Sequence, residues 1–147
     1  MTDSFFIDPA RPQFDAFKAL PRDTPINMLN LLRFRDLADY PESHENAGKG
    51  MTGAEAYAAY GRDSGAVFTR VGGKVIWRGS MEAVLTGPME GEHWDGAFIA
   101  YYPNAGCFLE MVTDPVYQQA VKHRQAAILT SRLVRFGEAE TNEGAFG

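Results

Sequence analysis

The chain has few of the features that mark several common classes of protein. Its one cysteine, Cys107, permits no internal disulfide bond, which is typical of a reducing cytoplasm. No apolar run approaches the roughly 20 residues that a transmembrane helix needs. The N-terminus also lacks the basic segment of a secretory signal. We therefore expect a cytoplasmic protein with no membrane partner.

Basic charge and catalytic motifs are scarce as well. Lys and Arg number 14 against 19 Asp and Glu, and the net charge of -5 gives no long-range attraction to nucleic acid. The sequence contains no complete phosphate-binding loop, dinucleotide-binding glycine motif, nucleophile elbow, zinc-protease motif or CxxC pair. Its three histidines lack the spacing of metal ligands. We expect no nucleic-acid partner, no metal site and no cofactor.

The sequence does contain the periodicities of a single α+β domain spanning residues 1–147. The predicted first half consists of a helix over about 9–20, a strand over 26–34, a long loop over about 35–51, and a helix from the capping box Thr52–Glu55 to Gly72. The predicted second half consists of strands over 74–86 and 93–102, a helix over 105–112, a helix from Asp114, a strand over 129–136, and a frayed tail over 138–147.

This order, βαββαβ over about 25–138, predicts a ferredoxin-like fold with a four-stranded antiparallel sheet. Right-handed crossovers place both helices of the repeat on one face of the sheet. The other face is left with large apolar side chains, including Trp77 or Trp94. We therefore expect a homodimer in which two sheets close into a dimeric α/β barrel.

Several short motifs occur together in a characteristic order and spacing. They are Asn30-Leu31-Leu32-Arg33-Phe34, Gly53-x-Glu55-Ala56-Tyr57, Trp94-Asp95, Asp114-Pro115-x-Tyr117 and His123-Arg124-x-Ala126-Ala127. In this the chain resembles the domain-of-unknown-function family DUF1330, within the dimeric α/β-barrel superfamily. The resemblance implies a ferredoxin-like dimer with a cavity between the sheet and helices of each protomer. The superfamily includes monooxygenases, isomerases, haem peroxidases and ligand-sensing domains, so the fold selects no activity.

Two residues of the last predicted helix are candidates for catalysis. Arg124 lies on the apolar stripe of that helix, where burying an unpaired charge is costly. Either its head reaches the surface or pairs with Asp95, or it binds a carboxylate or enolate of a substrate. His123 beside it is either a general base or an exposed histidine.

The candidate ligand-binding residues lie on other elements. Asn30, on an apolar strand face, either satisfies a neighbouring helix end or a buried water, or orients a ligand oxygen. Arg33 is a charged residue on the opposite face of the same strand, which is otherwise mostly apolar in its middle. The aromatic residues Tyr57, Tyr60 and Trp77 either line a cavity or belong to the core. Asp95 has either a pKa raised by burial or an arginine partner, Arg124 or Arg78.

Two functions follow from these candidates, and the residues do not choose between them. The first is a cofactor-independent monooxygenase-like or isomerase-like enzyme that acts on a small aromatic or carbonyl-bearing substrate. The second is a dimer that binds a small molecule without changing it, or that serves a structural role.

Overall fold

A computed structural model describes residues 5–139 and Gly144 of the chain. Its elements are α1 (Arg11–Ala19), β1 (Ile26–Phe34), α2 (Gly53–Arg70), β2 (Lys74–Gly79), β3 (Gly96–Tyr102), α3 (Ala105–Thr113), α4 (Pro115–Ala127) and β4 (Ile128–Phe136). Most of the tail that we expected to be frayed, residues 140–143 and 145–147, lies outside the described residues. Within the described part, no helix is long and apolar enough to cross a membrane.

The four strands form one antiparallel sheet in the order β2-β3-β1-β4. This order, with helices connecting β1 to β2 and β3 to β4, confirms the predicted ferredoxin-like fold. The alternation of β1 is also confirmed, because Ile26, Met28, Asn30 and Leu32 are buried beneath the helices. The core consists of this strand face, the facing side chains of β3, and the inner sides of α2, α3 and α4.

The opposite face of the sheet carries apolar side chains that no element of the described chain covers. Leu29 on β1 is only half-buried, and Ile99 and Val134 lie beside it in register. Trp77 and Phe136 on the same face are 53% and 51% exposed. We call this surface the open sheet face.

Strand β2 differs from its prediction in length and in phase. Its pairing shifts between Val75 and Trp77, so that Val75 is opposite Ala100 while Trp77 is opposite Ile99. The extra residue at this bulge reverses the alternation, because side chains change face once per residue. Regular alternation over 74–86 predicts that Val75 and Trp77 share one face and that Arg78 lies on the other. That prediction is wrong: Trp77 lies on the open sheet face, and Arg78 faces the helices together with Val75.

The hairpin is also shorter than predicted. Pairing ends at Gly79 opposite Ala97, and residues 80–95 form a connection that we call the arm. Strand β3 begins at Gly96 because the backbone N–H of Asp95 donates to Leu32 O (2.7 Å), away from β2. The predicted strand residues 80–86 therefore have no sheet neighbour in the described chain.

The long loop, residues 35–52, is held against the end of α4. Arg35 N donates to Ala127 O (2.8 Å), and Asp39 N donates to Ala126 O (2.9 Å). Gly53 follows the loop at a point where segments of the backbone approach closely. A Cβ atom there would clash with Arg35 O and lie 2.8 Å from Ala127 O. The absence of a side chain at this position allows the loop and both helices to meet.

The three predicted helix starts are confirmed by their capping hydrogen bonds. Thr52 Oγ1 accepts from Glu55 N (3.1 Å), and Glu55 Oε1 accepts from Thr52 N (2.9 Å). Asn104 caps α3, and Asp114 caps α4 with Pro115 at the first helical position. These side chains satisfy backbone donors that have no partner within the helix.

Replacing the cap of α2 tests the contribution of this hydrogen bond. We expect Thr52→Ala to lower the free energy of unfolding by about 1 kcal/mol, because Glu55 N loses its acceptor. Urea unfolding followed by circular dichroism measures the change. Thr69→Ala, at an exposed position near the other end of α2, is the matched control. It should leave stability unchanged or raise it slightly, since alanine favours helix. Equal losses in the two variants would contradict the capping role.

Candidate ligand-binding site

A cavity of about 1200 Å³ lies between the sheet and the helices. Its walls come from the helix-facing side of the sheet, from α1, α2, α3 and α4, and from residues 6–9 that precede α1. Most of the lining is apolar, including Phe14, Phe17, Met28, Phe68 and Phe98. This volume is somewhat above the range that is typical of small-molecule sites, about 300–1000 Å³.

Arg124 projects from α4 into this cavity and is only 7% exposed. Its Nη1 donates to Ile7 O (2.5 Å), and its Nη2 donates to Ser131 Oγ (3.2 Å). Both acceptors are neutral, and Arg124 forms no ion pair with any carboxylate of the described residues. The head is therefore not at the surface, and it is not paired with Asp95. Within the described part of the chain, a buried positive charge therefore remains without a negative partner.

Three tyrosines surround the same region of the cavity. The hydroxyl groups of Tyr60 and Tyr117 are 2.9 Å apart, and the Tyr57 ring lies 5.3 Å from that of Tyr60. Burial raises the pKa of Tyr57 to about 12, although the charge of Arg124 acts in the opposite direction. Burial also raises the pKa of Tyr60 and Tyr117. The three hydroxyl groups are therefore neutral at physiological pH and remain able to donate hydrogen bonds.

Asn30 adds an amide to the floor of the cavity. It is 7% exposed, and its Nδ2 donates to Met28 O (3.1 Å) on the same strand. Its partner is therefore a carbonyl group of its own strand and not a helix end, and its side chain also lines the cavity.

The charges that line the cavity are strongly unbalanced. Its cationic residues are Arg78, Arg124, Arg132 and Arg135, and Asp8 is its only acidic residue among those described. None of the four arginines forms an ion pair within the described part of the chain. Such a cavity in a chain of net charge -5 favours an anionic ligand.

His123 lies next to Arg124 in sequence but outside the cavity lining. It is 8% exposed, and its Nδ1 is 2.6 Å from the hydroxyl oxygen of Tyr40 in the long loop. Its Nε2 is 3.1 Å from Asp63 Oδ2 on α2. The His44 ring packs against Tyr40 and His123, and burial together with the charge of His123 lowers the pKa of His44. A catalytic role for His123 stays a prediction.

The other three predicted site residues also lie outside the cavity lining. Trp77 lies on the open sheet face. Arg33 of β1 lies on that face too, where it pairs with Thr130 of β4. Asp95 accepts from Phe34 N (2.8 Å) and lies 3.0 Å from His93 Nε2. Burial works against its ionisation, but these hydrogen bonds and the charge of Arg33 hold its pKa below the usual range. Asp95 therefore has neither a raised pKa nor the arginine partners proposed for it.

Comparison with known proteins supports the same fold. The family model "Domain of unknown function (DUF1330)" matches residues 49–136. The chain belongs to this family. No curated protein matches it.

Two crystal structures of another protein resemble this DUF1330 member over nearly its whole length. RPA0582, a protein of unknown function from Rhodopseudomonas palustris, is 53% identical, with 94% of this chain and 100% of that chain covered and a TM-score of 0.84. Methylated RPA0582 is 51% identical, with 96% and 100% covered and a TM-score of 0.86. SnoaB, a cofactor-independent oxygenase from Streptomyces nogalater, is 14% identical, with 82% and 99% covered and a TM-score of 0.50. This last similarity shows the fold alone.

Several cavity residues of this DUF1330 chain escaped the sequence analysis. Tyr117 lies two turns before Arg124 on the same helical stripe, and that spacing was the available signal. Arg78 escaped because nothing in the alternation reveals the bulge that turns it towards the helices. Ile7 and Asp8 precede the first predicted helix, and no local pattern indicates that they reach α4. Among the described residues, no cluster of three or more His, Cys, Asp or Glu has the arrangement of a metal site.

The raised pKa of Tyr57 predicts a loss of stability in alkali. The folded state keeps this proton up to about pH 12, whereas the unfolded chain releases it near pH 10. Its contribution is therefore complete below pH 10 and declines as the pH rises above that value. We expect Tyr57→Phe to lose less stability than the native chain between pH 9 and pH 11 in urea unfolding. Parallel losses in the two proteins would contradict the burial of this hydroxyl group.

Proposed function

We propose that this protein is a homodimer that binds a small, largely apolar molecule through an anionic oxygen group. The observation that carries the proposal is the buried guanidinium of Arg124, which lines the cavity and has only neutral hydrogen-bond acceptors among the residues that the structure describes. The cytoplasm is the location that we propose for this binding, because the single cysteine suits a reducing compartment.

The energetic argument starts from the cost of burying an unpaired charge. Transfer of an isolated cation into a protein interior costs several kcal/mol unless a negative group compensates it. Arginine has five N–H donors, and protein acceptors engage two of its nitrogens. The remaining donors and the charge suit a planar anion such as a carboxylate or an enolate. Ligand binding would therefore supply the missing negative partner.

The rest of the lining supports the same kind of ligand. The aromatic and aliphatic walls favour an apolar body, because removing it from water is favourable at roughly 25 cal/mol per Å². The neutral hydroxyl groups of Tyr57, Tyr60 and Tyr117 offer further donors to an oxygen near Arg124. Asn30 offers an amide group from the floor of the cavity, which the sheet forms.

The open sheet face supports the homodimer. A contiguous apolar surface that includes Trp77 and Phe136 is unfavourable in water, and pairing with the same face of a second copy would cover it. The same pairing would protect the exposed edges of the outer strands.

A catalytic version of this site is a second candidate. The pairing of a buried cation with the Tyr60–Tyr117 hydroxyl groups would stabilise an enolate, as proton abstraction followed by isomerisation or oxygen insertion requires. The fold similarity to a cofactor-independent oxygenase is compatible with this chemistry. The two candidates differ in whether a molecule recovered from the natively purified protein has been chemically altered.

Replacing Arg124 tests the proposed binding directly. The probe is 8-anilinonaphthalene-1-sulfonate, which has an apolar body and one anionic group, and binding is followed by its fluorescence. We expect Arg124→Met to weaken the affinity by about tenfold or more, because the charged partner is lost. N-phenyl-1-naphthylamine, the uncharged analogue, should bind both proteins equally. Arg62→Met, at an exposed position on α2, is the matched control and should leave both affinities unchanged.

The uncharged probe also reports whether the variant keeps its cavity. If Arg124→Met binds N-phenyl-1-naphthylamine like the native chain but also keeps its affinity for the sulfonate, the proposed role of Arg124 is wrong. If the native chain binds neither probe, the cavity does not serve ligands of this class.

A charge on the open sheet face tests the dimer. We expect the native chain to sediment as a dimer at micromolar concentration and Phe136→Glu to sediment as a monomer, since the substitution buries a carboxylate without a partner. Val116→Glu on α4 changes a side chain of similar exposure, 55% against 51%, on the helical side of the domain. It should remain dimeric. A monomeric native chain would refute the dimer.

A further inference from the structure

We propose that the arm, residues 80–95, reaches across to a second copy of the chain and completes the wall of that copy's cavity. The inference rests on the proposed homodimer and adds which segment crosses and where it binds. It assigns part of each binding site to the other subunit.

The first argument is the unused strand pattern of the arm. Residues 80–86 alternate in the manner of a strand, with Met81, Ala83 and Leu85 on one side, but they have no neighbour in their own sheet. Leu85 is 98% exposed and Met89 is 100% exposed. Large apolar side chains at such exposure, on a segment suited to β-structure, favour contact with another surface.

The second argument is that only the base of the arm, and not its apolar tip, contacts the surroundings of its own cavity. Asp95 N is held by Leu32 O (2.7 Å), and the Trp94 ring lies 5.2 Å from the guanidinium of Arg132. Ser80 lines the cavity at the start of the arm, but Leu85 and Met89 do not. The apolar tip therefore contributes nothing to the site of its own chain.

The third argument is charge. The arm contains the acidic residues Glu82, Glu90, Glu92 and Asp95, and it contains no lysine or arginine. At the other edge of the sheet, Arg132 on β4 is exposed and contacts only neutral groups among the described residues: Ser131 O, Thr130 Oγ1 and the rings of Phe6 and Trp94. An acidic arm and an arginine edge are complementary in charge.

A twofold axis parallel to the strands would bring these two surfaces together. When two open sheet faces pair about a twofold axis parallel to the strands, the β2 edge of one copy lies over the β4 edge of the other. The arm leaves the sheet after Gly79, at the end where β4 begins, and this axis keeps both at the same end. The arm of one copy then lies beside Arg132 of the second copy.

The contact would complete the binding site, because the same edge borders the cavity. Phe6, Arg132 and Val134 all line it. An arm placed over them would bring Leu85 and Met89 to the rim of the second copy's cavity. Each site would then contain residues of both chains.

Charge exchange between two variants tests whether the contact crosses between chains. The arm variant carries Glu82→Lys and Glu90→Lys; Glu92 is kept because it accepts from Trp94 Nε1 (3.0 Å) within its own chain. The edge variant carries Arg132→Glu. The two chains are co-expressed, and native mass spectrometry counts the two homodimers and the mixed dimer. In the mixed dimer both arm–edge contacts pair opposite charges, whereas every contact in either homodimer pairs like charges.

At equal expression we expect the ratio of the mixed dimer to the two homodimers together to be about five times its statistical value. As the matched control, an edge variant with Arg62→Glu in place of Arg132→Glu should mix with the arm variant statistically. A statistical mixture with Arg132→Glu, while the native chain is dimeric, would overturn the crossing arm and leave the dimer standing. A monomeric native chain would overturn both. The affinity of Arg124→Met for the sulfonate probe tests the proposed ligand binding independently of the arm and the dimer.

Discussion

The hydrogen bonds that Arg124 donates to Ile7 O and Ser131 Oγ determine how the cavity is enclosed. Ser131 in turn donates through its N and Oγ to Phe6 O, each at 2.8 Å. The segment before α1 is thereby fixed along the edge of β4, and a residue of α4 joins the two. Without this junction the first residues of the described chain would have little reason to lie over the sheet. The charge that makes the junction strong also leaves the cavity short of a negative group.

Much of the fold was predictable because it follows from local rules. Alternation identified β1, and the capping residues Thr52, Asn104 and Asp114 identified three helix starts. The importance of Arg124 was also predictable, since a charge on an apolar helical stripe requires a partner. Its partners were not predictable, because Ile7 lies far away in sequence and contributes only a backbone oxygen. A carbonyl group has no signature in the sequence of amino acids.

The bulge in β2 shows how a small irregularity changes the assignment of a site. The sequence around Val75 and Trp77 alternates regularly, so it predicts that both side chains lie on one face of the strand. One extra residue between the paired positions moves that tryptophan to the open sheet face and turns Arg78 towards the helices. A hydrophobic side chain is exchanged for a cationic one in the cavity wall. The outcome depends on pairing with β3 and is invisible in β2 alone.

The long loop is anchored to carbonyl groups that α4 cannot satisfy by itself. The last turn of a helix leaves its carbonyl oxygens without helical donors, and here Arg35 N and Asp39 N fill that role for Ala127 and Ala126. The Tyr40–His123 hydrogen bond adds a side-chain contact between the same two segments. The loop and the helix end are therefore joined by hydrogen bonds: the amide protons of Arg35 and Asp39 are protected from exchange with solvent as long as the loop stays bound to the end of α4. A segment without regular secondary structure thus shares the local stability of a helix.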